Sequence, residues 1–383
     1  MKILVIRICG MISGAEIYNL VLLKELIKYE ELNFSFITNL KQFASRLSQL
    51  ISKTICMPMV AGEVGTKKDL LISLLRLPNY WLRYFINIYK LEEGSRFGLI
   101  CLQSMTEKIF LTPVLRFFGY NVIWIEHGPL YASQTSRIIK WLHRKASLFS
   151  RRIIAVSQDT KTDLVDGGVL PEKVEVIYIG VDTERLKPLE DSERIGIRNK
   201  MHIQNESKVI GFLGTVTREK GIEDFLDISV KLVDGGENFE FLMIGGGPEL
   251  LWMKKRVKFL RLDKLYHFVG FVDDTKKYLG IIDIFLFPTL HQEGISMAIL
   301  EAQSMEKVVF TRDIGGNSEI IRNKENGYLY AQWNNETISR DIINFFSDPR
   351  VLVKVGKEAR ENVVTRYNIK DQARKFYRLF SSA

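Results

Sequence analysis

Two carboxylates, Glu293 and Glu301, stand eight positions apart in Pro288-Thr289-Leu290-His291-Gln292-Glu293-Gly294-Ile295-Ser296-Met297-Ala298-Ile299-Leu300-Glu301-Ala302, a segment that follows an apolar run and turns into a helix. At a helix start that separation spans roughly 12 Å, taking about 1.5 Å per residue. This is the reach from the ribose of a nucleotide to a sugar carried on its diphosphate. Between the two acids, the amides of Gly294, Ile295, Ser296 and Met297 form a helix N-terminus, whose unpaired N–H groups and dipole suit a phosphate. Taken alone, the same spacing also arises when one acid caps a helix and the other makes a surface ion pair, so the surrounding residues decide.

Four other places carry chemistry. Gly211-Phe212-Leu213-Gly214-Thr215-Val216-Thr217-Arg218-Glu219-Lys220-Gly221 ends a strand in a glycine-rich turn with two cations. Ile244-Gly245-Gly246-Gly247-Pro248 also follows a strand, but it lacks the Gly-x-Gly-x-x-Gly spacing and the later acidic residue of a nicotinamide-dependent dehydrogenase. Glu126-His127-Gly128-Pro129 closes another strand, and Ser13-Gly14-Ala15-Glu16 follows the first. The three cysteines, Cys9, Cys56 and Cys101, and the five histidines, His127, His143, His202, His267 and His291, show no metal-ligand spacing, so no metal is expected. The cysteines lie in apolar stretches and read as reduced, buried thiols.

Parallel sheets with helices on both faces are the elements that position such residues, because short apolar strands alternate with longer helical patterns along the whole chain. Strands are predicted at 2–6, 33–37, 99–102, 122–125, 153–156 and 174–178, and again at 209–213, 239–244, 267–269, 284–287, 308–311 and 327–330. The 383 residues suffice for two cores. The charged stretch from Leu186 to Lys208, with Pro188, reads as a linker. The expected domains are 1–188 and 208–365, with 366–383 a C-terminal helix packing back on the first. Doubly wound sheets bind ligands beyond the carboxyl ends of their strands, so two of them facing each other predict one interdomain cleft.

The formal net charge of +9 favours anionic partners: nucleotide phosphates, an acidic lipid surface or nucleic acid. No recognition helix or stacking platform supports nucleic acid. The charged start Lys2-Ile3-Leu4-Val5-Ile6-Arg7 argues against a secretory signal, and no apolar stretch is long enough for a confident membrane span, so a cytoplasmic protein is expected.

The segment around Glu293 and Glu301, with Gly270-Phe271 before it and Gly315-Gly316-Asn317-Ser318-Glu319 after it, resembles the donor-binding region of retaining glycosyltransferase family 4, which has the GT-B fold of two Rossmann-like domains. The resemblance runs through the chain. Ser13-Gly14-Ala15-Glu16 is similar to the family's Gly-Gly-Ala-Glu loop, with only the second glycine kept, and Glu126-His127-Gly128-Pro129 matches the active-site histidine position. Ile154-Ala155-Val156-Ser157 and Ile179-Gly180-Val181-Asp182 look like fold markers, with Ile179 in place of asparagine. Gly214 and Lys220 match the diphosphate-binding stretch; Thr215 stands where arginine is usual, and a basic residue occurs instead at Arg218. Ile244-Gly245-Gly246-Gly247-Pro248 is similar to a Gly-x-Gly-Pro turn, where Gly245 and Gly247 would admit a close backbone approach at the base and ribose end.

The resemblance implies a retaining, metal-independent transfer from a nucleotide diphosphate sugar to a glycan or lipid-linked acceptor, as in surface polysaccharide synthesis. It implies donor binding by Gly14, Gly214, Arg218, Lys220, Gly245, Gly247, Glu293, Gly294, Ile295, Ser296 and Glu301. Of these, Glu301 would take the ribose hydroxyls and Glu293 the transferred sugar, while Lys220 and Arg218 would neutralise the leaving diphosphate. His127 would contact the sugar. The alternative is a catalytically weakened nucleotide-sugar-binding protein on the same fold. Basic and aromatic residues between Lys67 and Lys90, and a basic run from Arg137 to Arg152, add an expected peripheral contact with an anionic membrane at its inner face.

Overall fold

The computed structural model describes residues 1–58, 67–132 and 135–382, and the backbone alone of 67–75. These residues fold as two compact units, one of Met1–Ile179 with Ile369–Ala383, the other of Gly180–Asn368.

The first unit holds a seven-stranded parallel sheet. Its strands are β1 (Lys2–Arg7), β2 (Asn33–Thr38), β3 (Thr54–Cys56), β4 (Leu99–Leu102), β5 (Val122–Glu126), β6 (Arg152–Ala155) and β7 (Val174–Val176), in the order β3-β2-β1-β4-β5-β6-β7. Ile3, Leu4, Ile100 and Ile153 are fully buried, as strands covered on both faces must be. The chain winds outward from β1 to β3, then restarts at β4 on the other side of β1, which creates a switch point at the carboxyl ends of β1 and β4. Helix Gly14–Leu26 follows β1 and helix Met105–Phe117 follows β4, so both N-termini lie at that end. The C-terminal helix Ile369–Ser381 belongs to this unit and packs on Gly14–Leu26, with Tyr29 and Tyr377 stacked at 4.2 Å and Phe34 edge-on to Phe380 at 6.2 Å.

The second unit repeats the winding with β8 (Lys208–Leu213), β9 (Phe239–Ile244), β10 (Tyr266–Gly270), β11 (Ile284–Phe287), β12 (Val308–Arg312) and β13 (Tyr328–Tyr330). All pairings are parallel, in the order β10-β9-β8-β11-β12-β13, so its switch point lies between β8 and β11. The doubly wound α/β architecture expected from the alternation of elements is present in both units.

Every strand expected from the sequence is found to within two residues at either end. The exception is β3, which was not anticipated. Its three residues are too few to show a period, and pairing of Thr54, Ile55 and Cys56 with Phe36, Ile37 and Thr38 at the sheet edge defines it. Cys56 is exposed there, whereas Cys9 and Cys101 are buried as expected. The stretch read as a linker also contains structure. Helix Asp191–Lys200 buries Arg198, whose guanidinium donates to the carbonyls of Ile281 at 2.8 Å and Ser207 at 2.9 Å and to Asp283 at 2.9 Å. A helix anchored by one inward arginine has no apolar stripe for the sequence to display.

Candidate functional site

In the second unit the loops at the carboxyl ends of the strands are joined to one another. After β8 the chain makes a single 3₁₀ turn, Arg218–Lys220, and leaves it through Gly221 at φ +74°. A Cβ on Gly221 would strike the carbonyl group of Pro288, so only glycine lets this loop rest against the end of β11. Glu219 O accepts from the amides of Leu290 at 2.8 Å and His291 at 3.1 Å, which fixes the two loops together. Lys220 Nζ thereby reaches Glu293 and pairs with Oε1, both side chains remaining about one-fifth exposed, at 19% and 21%. The Gly315-Gly316 turn after β12 packs on the same residue, with the Gly316 amide donating to Glu293 O at 2.9 Å.

The loop after β9 closes the other side. Gly214 donates to Ile244 O at 3.0 Å, Val216 to Gly246 O at 2.9 Å and Glu249 to Val216 O at 3.1 Å. Gly245 and Gly247 admit the chain's own backbone, since a Cβ on Gly247 would lie 2.5 Å from Val216 O and one on Gly245 would overlap Gly214.

Helix Met297–Ser304 starts at Ser296, so of the eight-residue interval between the two acids only the stretch from Met297 onward is helical, and the uniform helical rise assumed from the sequence does not apply to Glu293-Gly294-Ile295-Ser296. Ile295 and Ser296 are buried, and the Ser296 hydroxyl has no hydrogen-bond partner among the described residues. Glu301 is buried one turn further on; Oε2 accepts from Thr275 Oγ1 at 2.7 Å, and burial raises its pKa. Thr275, from the segment after β10, was not singled out from sequence; its position beyond a strand end was the available signal. Arg218 behaves differently. It is 60% exposed, with its guanidinium 3.2 Å from Glu223, 3.8 Å from Glu249 and 5.5 Å from the Trp252 ring centroid. The structure therefore brings Lys220 and Glu293 together and engages Arg218 elsewhere.

In the first unit Gly14 opens the helix after β1, and Ser13 and Glu16 form its capping box. Glu16 is buried and takes hydrogen bonds from Arg7 Nε at 2.6 Å and from Ser13 N and Oγ at 2.7 Å each; burial opposes its charge, but Arg7 and Ser13 prevail and lower its pKa. His127 leaves the end of β5 half-buried, with Nε2 3.0 Å from Gln103 Oε1. Burial, aided by the positive charges of Arg7 and Lys108, holds its imidazole well below the usual pKa and therefore neutral. Behind it, Glu126 is buried against Lys108 Nζ at 2.7 Å and His143 Nε2 at 3.0 Å, and Tyr131 Oη lies 3.0 Å from His143 Nδ1. Burial pushes the Glu126 carboxyl up, but Lys108 and then His143 outweigh it and hold it near about 2. Gln103 and Lys108 carry no motif: Gln103 is a polar side chain just past the end of β4, and Lys108 is a cation on the helix that follows it.

The second unit thus presents its polar groups at its switch point, and the first presents its own beside one, past the ends of β4 and β5. The second offers a cation beside a carboxylate, a helix N-terminus and a buried acid, a set able to hold a phosphate and hydroxyl groups. The first offers a neutral imidazole.

Comparison with known proteins follows the same division. Residues 193–362 match the family described as Glycosyl transferases group 1, and residues 12–185 match Glycosyltransferase Family 4. An uncharacterized glycosyltransferase of Methanocaldococcus jannaschii is 24% identical over 317 residues, 79% of this chain and 78% of its own. The UDP-Gal:alpha-D-GlcNAc-diphosphoundecaprenol alpha-1,3-galactosyltransferase of Escherichia coli is 24% identical over 298 residues, 75% of this chain and 76% of its own. Among solved structures, Anabaena Alr3699/HepE in complex with UDP and glucose superposes with a TM-score of 0.84 at 18% identity, covering all of both chains.

Proposed function

The chain belongs to the group 1, family 4 glycosyltransferases of GT-B fold, and from that premise we propose that it transfers a sugar from a nucleotide diphosphate to a glycan or lipid-linked acceptor, with retention and without a metal ion, in surface polysaccharide synthesis. The observation that carries the reading is the Lys220–Glu293 contact at the switch point of the second sheet. The donor lies on that unit and the acceptor on the first. A UDP-sugar is the first donor to try, since the Anabaena protein is seen with UDP and glucose and UDP-Gal is named in the Escherichia coli enzyme, together with alpha-D-GlcNAc-diphosphoundecaprenol.

The bond from the sugar C1 to the diphosphate oxygen breaks, and the acceptor oxygen forms a bond to C1 on the same face. The acceptor's proton passes to the departing phosphate oxygen. Lys220, drawn from Glu293 to the diphosphate, neutralises the charge that grows there. Glu293 is then available to hold sugar hydroxyls. Glu301 takes the ribose hydroxyls beside Thr275, and His127 faces the sugar as it gains oxocarbenium character. Arg218 adds to the positive field at the loop's rim.

The acceptor lipid motivates a membrane contact. Among the described residues no helix is long and apolar enough to cross a bilayer. Helix Arg137–Ser147 and the loop after it expose Trp141 and Phe149, each at 50%, among Arg137, Arg144, Lys145 and Arg151, a pairing suited to an anionic headgroup layer. In the other stretch, from Lys67 to Lys90, the side chains up to residue 75 lie outside the described residues.

The test is to incubate the protein, with a chelator present, with UDP-sugars and a glycosylated isoprenoid diphosphate, and to read the anomeric proton of the product. An α-linked product from an α-linked donor is expected; a β-linked product contradicts retention, and an absolute need for added divalent ion contradicts the metal-independent step. Donor binding without transfer or hydrolysis assigns the chain to the weakened alternative. Co-sedimentation with phosphatidylglycerol vesicles, lost in Trp141→Ala/Phe149→Ala, checks the membrane contact; wild-type protein left in the supernatant removes it.

A further inference from the structure

The orientation of His127 is set by a chain of hydrogen bonds that begins at a group with no choice. The Ala15 carbonyl can only accept, and Asn19 Nδ2 donates to it at 2.9 Å, which fixes the Asn19 amide. The same Nδ2 donates to Gln103 Oε1 at 2.8 Å, and Gln103 Nε2 donates back to Asn19 Oδ1 at 2.7 Å. Both amides are buried, so neither can turn over without leaving polar groups unpaired. Gln103 Oε1, with its second lone pair, faces His127 Nε2 at 3.0 Å. An amide oxygen carries no proton to give, so Nε2 must carry it.

We infer that Asn19 and Gln103 are positioning residues that lock His127 in its Nε2–H tautomer, so that Nδ1 is presented as a bare acceptor and recognises a hydroxyl of the sugar that donates to it. Nδ1 has no hydrogen-bond partner among the described residues. The charged groups acting on the ring are Arg7 from β1, Lys108 from helix Met105–Phe117 and Glu126 beside it on β5; the two cations, with burial, keep the ring neutral against Glu126. A neutral ring in this tautomer repels a phosphate or carbonyl oxygen at Nδ1 and accepts only from an O–H or N–H. The inference rests on the proposed placement of His127 against the sugar for its consequence, but the tautomer stands on the first unit alone.

The test is a nitrogen-15 correlation spectrum of histidine-labelled protein, with the His127 signals identified by their loss in His127→Gln. A protonated, pyrrole-type Nε2 and an unprotonated, pyridine-type Nδ1 are expected near neutral pH; a protonated Nδ1 overturns the relay. Gln103→Glu puts a carboxylate at Nε2, so the ring should become doubly protonated. kcat/KM should then fall by at least about tenfold at neutral pH and recover as pH rises, since the accepting nitrogen returns with deprotonation. Asn19→Leu removes both amide partners of Gln103, so the Gln103 amide is free to turn and the proton should spread between Nε2 and Nδ1. If neither variant alters the His127 spectrum, the relay is wrong. If the spectra change while kcat/KM and its pH profile do not, the relay holds and the placement of His127 against the sugar is what fails.

Discussion

Replacing Lys108 by methionine removes one charge from the buried group behind His127 while keeping most of the side chain's volume. Lys108, only 2% exposed, sits 2.7 Å from Glu126 and also donates to Ile125 O at 2.8 Å. Without it, Glu126 keeps only His143, at 3.0 Å. Glu126 titrates at about 2 against a usual 4.5, because Lys108 and His143 overcome the cost of burial. A difference of about 2.5 in pKa, at about 1.4 kcal/mol each, corresponds to roughly 3 kcal/mol at neutral pH. Stranding one partner of a buried ion pair costs a similar amount, about 3–5 kcal/mol. The sign follows from a depressed carboxyl: its contribution is present above 4.5 and is lost as pH falls through about 2. The deficit of Lys108→Met should therefore be largest near neutral pH and narrow below about pH 4.5. Lys108→Met/Glu126→Gln should recover most of it. Guanidinium unfolding paired with hydrogen exchange of a peptide covering β5 separates the first unit from the second. A deficit under about 1 kcal/mol near neutral pH, or a double variant no better than the single one, refutes the reasoning.

Glu107 titrates in the opposite sense. It is buried beneath Tyr84 and Tyr80, whose hydroxyls donate to Oε1 at 2.8 and 3.1 Å, and burial pushes its carboxyl up to about 7. Its contribution is present below the usual 4.5 and declines as pH rises through about 7, so Glu107→Gln should melt higher than wild type near pH 8, by up to about 3 kcal/mol, with the gap closing toward acid; melting curves that stay parallel across pH contradict this. Gly221→Ala should cost about 1–3 kcal/mol, because it forces a side chain into φ +74° and onto Pro288, and should weaken UDP binding by displacing Lys220. Calorimetric melting and UDP titration measure the two effects, and a variant equal to wild type in both removes the argument for this loop.

The strands were legible because each parallel strand is a short run of Val, Ile, Leu and Phe buried on both faces, as in Ile284-Phe285-Leu286-Phe287. β3 was not, since an edge strand of three residues is defined by its neighbour rather than by its own pattern. Helix Asp191–Lys200 was hidden for a related reason: what anchors it is Arg198, and a charged residue reads as solvated. The Lys220–Glu293 contact joins positions 73 apart in sequence, and no spacing rule reaches that far. It follows from topology, because the loops after β8 and β11 are neighbours only once β11 restarts the sheet beside β8. Sequence resemblance could name Arg218 as a phosphate cation but not see that Glu223, Glu249 and Trp252 surround it. Asn19 and Gln103 carry no pattern of their own, because an amide within a helix or just past a strand end has no signature until its partners are known.

In the proposed mechanism Lys220 and Glu293 act on one donor, the lysine on its diphosphate and the acid on its sugar. Calorimetric titration of UDP and of UDP-glucose, with a chelator present, into wild type, Lys220→Met and Glu293→Gln tests it most directly. Lys220→Met should weaken both ligands by at least about tenfold, whereas Glu293→Gln should weaken UDP-glucose and leave UDP within about threefold. Wild-type affinity of both variants for both ligands, or no binding by the wild type until a divalent ion is added, would contradict the account.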